Sequence, residues 1–163
     1  MTKSQLIYST NQTTFTDLSL DPIWCSWFSG FSAGEGCFSV NIRLNKGRSY
    51  NPTFSIGLRS DDLGVLKEIR ETLCCGGTYP HTRGDSPRSY VFAVHRRYEI
   101  VNILVPLFDA FPLRNKKQVE YEIWRKVALA VNDEIHLTDR EAEVRVLCEQ
   151  LREVRKYREF TRG

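Results

Sequence analysis

The chain has 163 residues, of which 41% are hydrophobic and 12% aromatic, and its formal net charge is +3 at pH 7. This composition is typical of one globular domain and excludes disordered and fibrous proteins. No apolar run reaches the roughly 18 residues of a membrane span, and the N-terminus lacks the layout of a secretory signal. We therefore expect an intracellular protein without a membrane partner, either in a prokaryotic cytoplasm or inside an organelle.

The cysteines argue against a disulfide framework or a zinc site. Their number is odd, and none of them forms a CxxC pair. Two adjacent cysteines cannot supply half of a typical zinc site, whose ligand pairs are separated by intervening residues. We interpret the cysteines as small hydrophobic core residues, and they are Cys25, Cys37, Cys74, Cys75 and Cys148.

Residues 1–20 are rich in Ser, Thr and Gln, show no periodicity and are predicted to form a flexible arm. Residues 21–163 are predicted to form a single domain. Asp21-Pro22 indicates the start of its first helix, because Asp can accept hydrogen bonds from free N–H groups and Pro suits the first helical position. We expect this helix to end between Gly34 and Gly36.

Alternation of apolar and polar residues predicts two strands after this helix. Apolar residues occupy every second position over 38–44 and again over 54–58. The positions between them are polar or basic, so each strand has one face for the core and one for solvent. Residues 46–52 are expected to join the two strands as the loop of a hairpin.

The same arrangement then recurs along the chain. Ser60-Asp61-Asp62 is predicted to cap a second helix over 63–73, which ends at 75–77. A second hairpin follows, with strands over 78–83 and 88–95. The order of these elements predicts an α+β fold, with one antiparallel sheet covered by helices on one face.

Three further helices are predicted after the second hairpin. The first covers 98–108 and is kinked near its proline. Two amphipathic helices are predicted over 116–131 and 138–157, and we expect them to pack against the core. Thr138 and Glu141 have the spacing of a capping box at the start of the last helix.

The charge distribution identifies the polar strand faces as candidates for DNA contact. No acidic residue occurs from Gly36 to Ser60, and Asp85 is the only acid from His81 to Arg97. Arg and Asn are suited to reading base edges, and basic residues hold phosphates. The predicted DNA-binding residues are Ser39, Asn41, Arg43, Asn45, Lys46, Arg48, Thr53, Ser55, Gly57, Arg59, His81, Arg83, Arg88, Ser89 and Val91.

The first helix has a stripe of small residues that permits close approach of another backbone. Ser26, Gly30 and Gly34 form the stripe, although Gly inside a helix costs about 1 kcal/mol. The helix could lie tightly on its own sheet, or two copies of it could pack across a two-fold axis. The second arrangement implies a homodimer.

Glu35 stands at the end of the same helix, where the helix dipole makes a carboxylate unfavourable by about 0.3–1 kcal/mol. A compensating interaction is therefore expected. If two copies of the helix pack together, two Glu35 carboxylates and nearby carbonyls such as that of Gly34 would form an oxygen-rich site for Mg²⁺. Such an ion could assist hydrolysis of a phosphodiester by activating water.

The stretch FSGFSAGEG, residues 28–36, resembles the LAGLIDADG motif of homing endonucleases. Ala33 stands in the first acidic place of that motif and Glu35 in the last, catalytic one. The element order is similar to the family's αββαββα core, which has a saddle-shaped sheet. The segment FPLRNKKQVEYEIW resembles the one that supplies the family's active-site lysine, which falls on Lys116, with Lys117 as the register alternative.

The resemblance implies a homodimeric, single-motif enzyme that cuts both strands of a long, pseudo-palindromic site in double-stranded DNA and promotes intron mobility. Glu35 and Lys116 would be catalytic, and Glu35 and Gly34 would bind Mg²⁺ or Mn²⁺. The polar residue that the family often places near the end of the second strand corresponds to Leu58, so Arg59 could replace it or the role could be absent. The expected dimer interface contains Ser26, Ser29, Gly30 and Ala33.

A second function remains open at this point. The family includes RNA-splicing maturases, and a chain with an altered motif could bind nucleic acid without cutting it. The retained Glu35 favours cleavage, whereas Ala33 and Leu58 leave room for a maturase or a binding protein. A purely structural protein would not explain the acid-free strands.

Overall fold

The computed structural model describes residues 13–44, 47–82 and 87–156. The strands are β1 (Gly36–Arg43), β2 (Ser49–Arg59), β3 (Gly77–Thr82) and β4 (Pro87–Val94). The helices are α1 (Pro22–Glu35), α2 (Leu63–Leu73), α3 (Arg97–Glu99), α4 (Val105–Ala110), α5 (Lys117–Asn132) and α6 (Glu141–Arg155). The strands form one antiparallel sheet in the order β1-β2-β4-β3, so the predicted α+β fold is confirmed.

A cluster of aromatic side chains joins the sheet to the helices. Phe38 of β1 lies opposite Phe54 of β2, and both are fully buried. Phe28 of α1, Phe108 of α4 and Trp124 of α5 pack on these two rings, with centroid distances from 5.2 to 6.1 Å. Burial of each Phe contributes about 1.5–3 kcal/mol to the unfolding free energy. The opposite face of the sheet is not part of this core.

The first helix begins and ends as predicted. The Asp21 carboxylate accepts a hydrogen bond from the Ile23 N–H at 3.1 Å, and Pro22 is the first helical residue. The helix ends at Glu35, and β1 starts at the next residue. No loop separates the two elements.

The N-terminal segment differs from the prediction where the structure describes it. The predicted flexible arm includes residues 1–12, which lie outside the described residues. Residues 13–20 contact the fold, because Phe15 and Leu18 pack against the core. The Phe15 N–H also donates to the Asn102 carbonyl at 2.8 Å. The part of the predicted arm that the structure describes is therefore packed on the domain.

A proline explains why the Asn102 carbonyl is available. Pro106 lies four residues after Asn102 and has no N–H, so it cannot make the usual helical hydrogen bond to that carbonyl. The chain widens into a π-helix over Ile100–Leu104 before α4 begins. The predicted kink near Pro106 therefore takes the form of a π-helical segment.

Two local predictions around β2 need correction. Residues 49–52 belong to β2 and not to a hairpin loop, and Pro52 lies opposite Val40. The pairing of β2 with β4 begins at Phe54, so β2 has only one neighbouring strand at Pro52. Proline is tolerated there because it lacks the N–H that pairing with a second neighbour could require. Ser60–Asp62 forms a 3-10 turn before α2, and no side chain caps that helix.

The predicted capping box at α6 is also wrong. The Thr138 hydroxyl accepts from the Arg140 N–H at 3.1 Å, whereas the Glu141 carboxylate accepts from the buried Tyr50 hydroxyl. Arg48 completes this contact at 3.4 Å from Glu141. Burial raises the pKa of Tyr50 to about 12, so the phenol keeps its proton and remains a donor.

A second buried cluster holds α6 against the outer part of the sheet. It contains Tyr50, Val127, Val131, Val144 and Cys148. The cysteine prediction holds for Cys148, as it does for buried Cys25 and Cys75, but Cys74 is exposed and Cys37 only half-buried. None of the helices in the described ranges combines the length and apolar character needed to cross a bilayer.

His136 makes the stability of this cluster dependent on pH. Its side chain is buried edge-on against the Tyr50 ring, and Nδ1 has no hydrogen-bond partner in the described part of the chain. Burial lowers the pKa of His136, and the positive charge of Arg97 adds to this shift. The unfolded chain therefore binds a proton more readily, and stability falls as the pH drops below the ordinary His value near 6.5.

We predict that Tm falls between about pH 7.5 and pH 5.5, and that His136→Gln removes most of this fall. Thermal unfolding followed by circular dichroism measures both profiles. The control is His81→Gln, since His81 is exposed. A profile that His136→Gln leaves unchanged would contradict the assignment.

Candidate active site and nucleic-acid interface

Gly36 places Glu35 at the border between α1 and the sheet. A Cβ atom on Gly36 would lie 2.5 Å from the Ser32 carbonyl oxygen and 3.1 Å from the Phe54 ring. Only glycine therefore permits this direct passage from helix to strand. The Glu35 side chain is exposed, and no hydrogen bond or ion pair links it to another described residue. Among the residues that the structure describes, the unfavourable carboxylate at the end of the helix therefore has no compensating partner.

The segment between α4 and α5 brings a lysine to this border. The Asn115 amide donates to the Ala33 carbonyl at 2.9 Å, and its oxygen accepts from the Lys117 N–H at 3.0 Å. The Lys117 ammonium donates to the Gly36 carbonyl at 2.6 Å. Lys117, the register alternative, therefore lies beside the Glu35–Gly36 peptide. Lys116 is exposed just before α5, and no hydrogen bond or ion pair joins its side chain to α1.

We predict that Asn115→Ala loosens this junction. The loss of a hydrogen bond costs about 0.5–1.5 kcal/mol, which corresponds to a decrease in Tm of roughly 2–4 °C per kcal/mol for a chain of this size. Hydrogen exchange of the Lys117 amide should also accelerate, because Asn115 accepts from it. Asn132→Ala removes an exposed Asn whose amide contacts only the neighbouring Asp133, and it is the matched control. Equal effects of the two variants would contradict the proposed role of Asn115.

The open face of the sheet is polar and contains no acid. The register aligns Ser39 with Thr53, and Gly57 with Val91 and Tyr79, in rows across the strands. None of the four strands contains Asp or Glu. The predicted DNA-binding residues that lie on this face are Ser39, Asn41, Arg43, Thr53, Ser55, Gly57, Arg59, His81, Ser89 and Val91.

Other predicted contact residues are placed differently. Arg48 lies 3.4 Å from Glu141 on the helical side of the sheet, so it is not part of the open face. Arg88 is exposed at an irregularity in the pairing of β3 and β4. The remaining three, Asn45, Lys46 and Arg83, lie outside the described residues.

The prediction missed three residues that share the open face. Asn51 was assigned to a loop but lies opposite Asn41 in the sheet. Tyr79 is half-exposed, and its ring covers Gly77. A Cβ atom added to Gly77 would lie only 2.5 Å from the Tyr79 hydroxyl. The Nδ1 atom of His95 lies 3.3 Å from the Thr53 hydroxyl oxygen. Period-two spacing from His81 and Val91 would have identified Tyr79 and His95.

Leu58 and Arg59 keep the orientations that alternation predicts. Leu58 packs against the core, so it does not reach the open face. The Arg59 guanidinium is exposed and lies 3.2 Å from the Asp61 carboxylate. Of the two residues, only Arg59 is available to a ligand on that face.

The small residues of α1 are not required for packing within one chain. A Cβ atom on Gly30 or Gly34 would meet nothing within 4 Å, so close packing of these glycines on their own sheet is excluded. Ser26 is exposed on the same side, together with Ile23 and Trp27 at 79% and 41% exposure. This exposed, partly apolar helix face is available to a second molecule.

Two other residues of the expected dimer interface are less accessible. The Ser29 side chain is buried, and its hydroxyl donates to the Phe111 carbonyl at 2.6 Å. The Ser29 hydroxyl is therefore engaged within its own chain. Ala33 is half-buried and borders a hollow of about 860 Å³ beside α1.

One chain supplies only part of a metal site. No cluster of three or more His, Cys, Asp or Glu side chains occurs in the described ranges. Glu35 and the adjacent Gly34 carbonyl are hard oxygen donors of the kind that Mg²⁺ prefers. A complete oxygen-lined site would therefore need donors from a second chain or from the ligand.

The features above define an α+β protein whose helix-backed sheet presents an open, acid-free polar face, with a carboxylate and a lysine at its border. The sequence model of the LAGLIDADG endonucleases matches residues 28–128. The chain therefore belongs to the LAGLIDADG endonuclease family.

Curated relatives are longer than the matched region. A probable intron-encoded endonuclease of Schizosaccharomyces pombe is 28% identical over 66% of this chain and 27% of its own length. Another from Neurospora crassa is 30% identical over 73% of this chain and 22% of its own length. The chain spans about a quarter of the curated relatives that it matches.

Solved structures share the fold. The homing endonuclease I-TnaI is 24% identical, with a TM-score of 0.70, over 80% of this chain and 94% of that one. The LAGLIDADG homing endonuclease I-GzeII, solved in complex with its DNA target, is 25% identical, with a TM-score of 0.74, over 84% of this chain and 46% of that one. The αββαββα fold and the resemblance to homing endonucleases are thereby confirmed.

Proposed function

We propose that the protein is a homodimeric, divalent-metal-dependent homing endonuclease that cuts both strands of a long, pseudo-palindromic DNA site and promotes the mobility of an intron. The observation that supports this most strongly is the position of Glu35. Its carboxylate is exposed and unpartnered where α1 meets the open face of the sheet. The LAGLIDADG family and the intron-encoded relatives support the same activity.

Glu35 and the Gly34 carbonyl would hold the metal, together with their counterparts in a second subunit. Bound Mg²⁺ or Mn²⁺ would supply Lewis-acid chemistry, by activating water and stabilising the leaving oxygen of a phosphodiester. The absence of an acid at position 33 leaves Glu35 as the only carboxylate of the motif in each subunit.

Lys117 would stabilise negative charge on the phosphate. Its ammonium is held at the Gly36 carbonyl, one residue from Glu35, by the hydrogen bonds of Asn115. A fixed cation at this place acts on the charge that develops in the transition state. We therefore propose Lys117, and not Lys116, as the catalytic lysine.

The open face of the sheet would lie in the major groove. Its outer strands are about 14 Å apart, from three spacings of about 4.8 Å, and the major groove is about 12 Å wide. Arg43 and Arg59 carry guanidinium groups suited to guanine or phosphate, and Asn41 and Asn51 carry amides suited to adenine. The absence of acids from the strands removes electrostatic repulsion of DNA.

Variants of Glu35 and Lys117, each compared with a matched protein, test this function. Glu35→Gln should bind duplex DNA with the affinity of the unmodified protein and should not cut it, because the amide loses the metal-binding charge. Lys117→Met should lower the cleavage rate by about 10²-fold, and the matched Lys116→Met should leave it unchanged. Nicking of a plasmid library of candidate sites with Mg²⁺ measures cleavage, and gel retardation measures binding.

Other outcomes would decide against parts of the proposal. DNA binding without cleavage of any site by the unmodified protein would support a non-cutting member of the family. A rate loss in Lys116→Met but not in Lys117→Met would reverse the choice of lysine. Cleavage by Glu35→Gln at the normal rate would exclude Glu35 as the metal ligand.

Dimerisation through α1 can be tested separately. Gly30→Leu should leave the folded subunit intact, since a side chain there meets nothing within 4 Å, but it should prevent close approach of two α1 helices. Sedimentation should show a monomer, and cleavage of both strands should be lost. The matched control is Gly64→Leu in α2, where a side chain also meets nothing within 4 Å. A Gly30→Leu protein that remains dimeric would place the interface elsewhere.

A further inference from the structure

We propose that α6 carries an additional DNA-binding site, which holds the phosphate backbone along the β1 edge of the sheet. This inference rests on the proposed function, because it assumes a duplex on the open face. It concerns residues outside that face, none of which belongs to the predicted contact set.

A groove lies between α6 and the free edge of β1. Its two hollows, of about 290 and 270 Å³, share Ile42 of β1 and Cys148 and Arg152 of α6. Leu44, just after β1, is 70% exposed at one end of the groove. The groove therefore runs along the edge strand and is open to solvent.

Cations without ion-pair partners line this groove. Arg145 and Arg152 form no ion pair with another described residue, and Glu149 is the one acid of the groove that is not already bound. The nearby Glu141 is occupied by Arg48 and the Tyr50 hydroxyl. The groove consequently carries uncompensated positive charge, which is what a polyanion backbone requires.

The C-terminal end of α6 reaches around the edge to the open face. The Arg155 guanidinium donates to the Cys37 sulfur at 3.1 Å, and Cys37 lies opposite Ser55 on the open face. Arg155 also lies 4.0 Å from Glu120, a long contact that leaves the guanidinium only weakly neutralised. The basic groove is thus continuous with the face proposed to bind DNA.

The width of the sheet indicates that the groove beside β1 faces the phosphate backbone of DNA. A sheet whose outer strands are about 14 Å apart is slightly wider than a major groove of about 12 Å, so β1 would lie beside one of the two backbones that border that groove. Guanidinium groups beyond β1 then meet phosphates and not bases. Contacts of this kind add affinity without sequence preference.

The experiment compares the salt dependence of binding in two double variants. Arg145→Gln with Arg152→Gln should reduce the slope of log K against log salt by about 1–2, since each phosphate contact contributes about 0.9. The affinity loss should be equal for a cleavable site and for a random-sequence duplex. Lys67→Gln with Lys126→Gln removes the same charge from exposed positions on α2 and α5, and it should leave the slope unchanged. Thermal unfolding of each variant confirms that it is folded.

Several results would overturn the inference. An unchanged slope in the α6 variant would exclude the phosphate contact, and an equal decrease in both variants would indicate an effect of net charge alone. If the α6 variant lost affinity for single-stranded RNA but not for duplex DNA, the groove would be assigned to RNA binding. Unmodified protein that shows no salt-dependent binding to duplex DNA would contradict the proposed function itself, which separates that failure from the failure of the α6 site.

Discussion

The direct passage from α1 into β1 at Gly36 is the constraint on which the site depends. A side chain at this position would collide with the Ser32 carbonyl, so the helix and the strand can meet without a loop only at a glycine. Because Phe28 anchors α1 beneath the sheet, the end of that helix has a fixed position. Glu35 is consequently presented at the border of the open face, where the helix dipole and the lack of a partner leave its charge uncompensated.

The same junction organises a segment that is distant in the sequence. Asn115 and Lys117 reach carbonyl groups of Ala33 and Gly36 that lie 82 and 81 residues earlier in the chain. The carbonyl groups at the end of a helix are acceptors without helical partners, and this segment supplies two of the missing donors. The interaction that completes the end of α1 is therefore also the one that places the Lys117 ammonium at the Gly36 carbonyl, one residue from Glu35.

The two faces of the sheet have different roles: the inner face packs the core, and the open face is exposed and polar. The inner face carries the aromatic core, and its outer part is held by Tyr50, His136 and the Glu141 contact beneath α6. The open face lacks acids and is bordered at β1 by the cations of α6. A single sheet can therefore hold a dense core on one face and a polar, acid-free surface on the other, because neighbouring residues of a strand point to opposite sides.

The sequence by itself determined the helix start at Asp21, the strand alternation, the acid-free polar face and the place of Glu35 in the motif, since these depend on local spacing. It did not decide between Lys116 and Lys117, because adjacent helical residues differ by about 100° in direction and only the contact with Gly36 distinguishes them. Asn51 was assigned to a loop because the length of β2 depends on its pairing with β1. The packing of residues 13–20 was not anticipated for a related reason: Phe15 donates to the Asn102 carbonyl, which lacks its usual helical donor because Pro106 has no N–H. Tertiary structure decided these points because each depends on a partner that is remote in sequence.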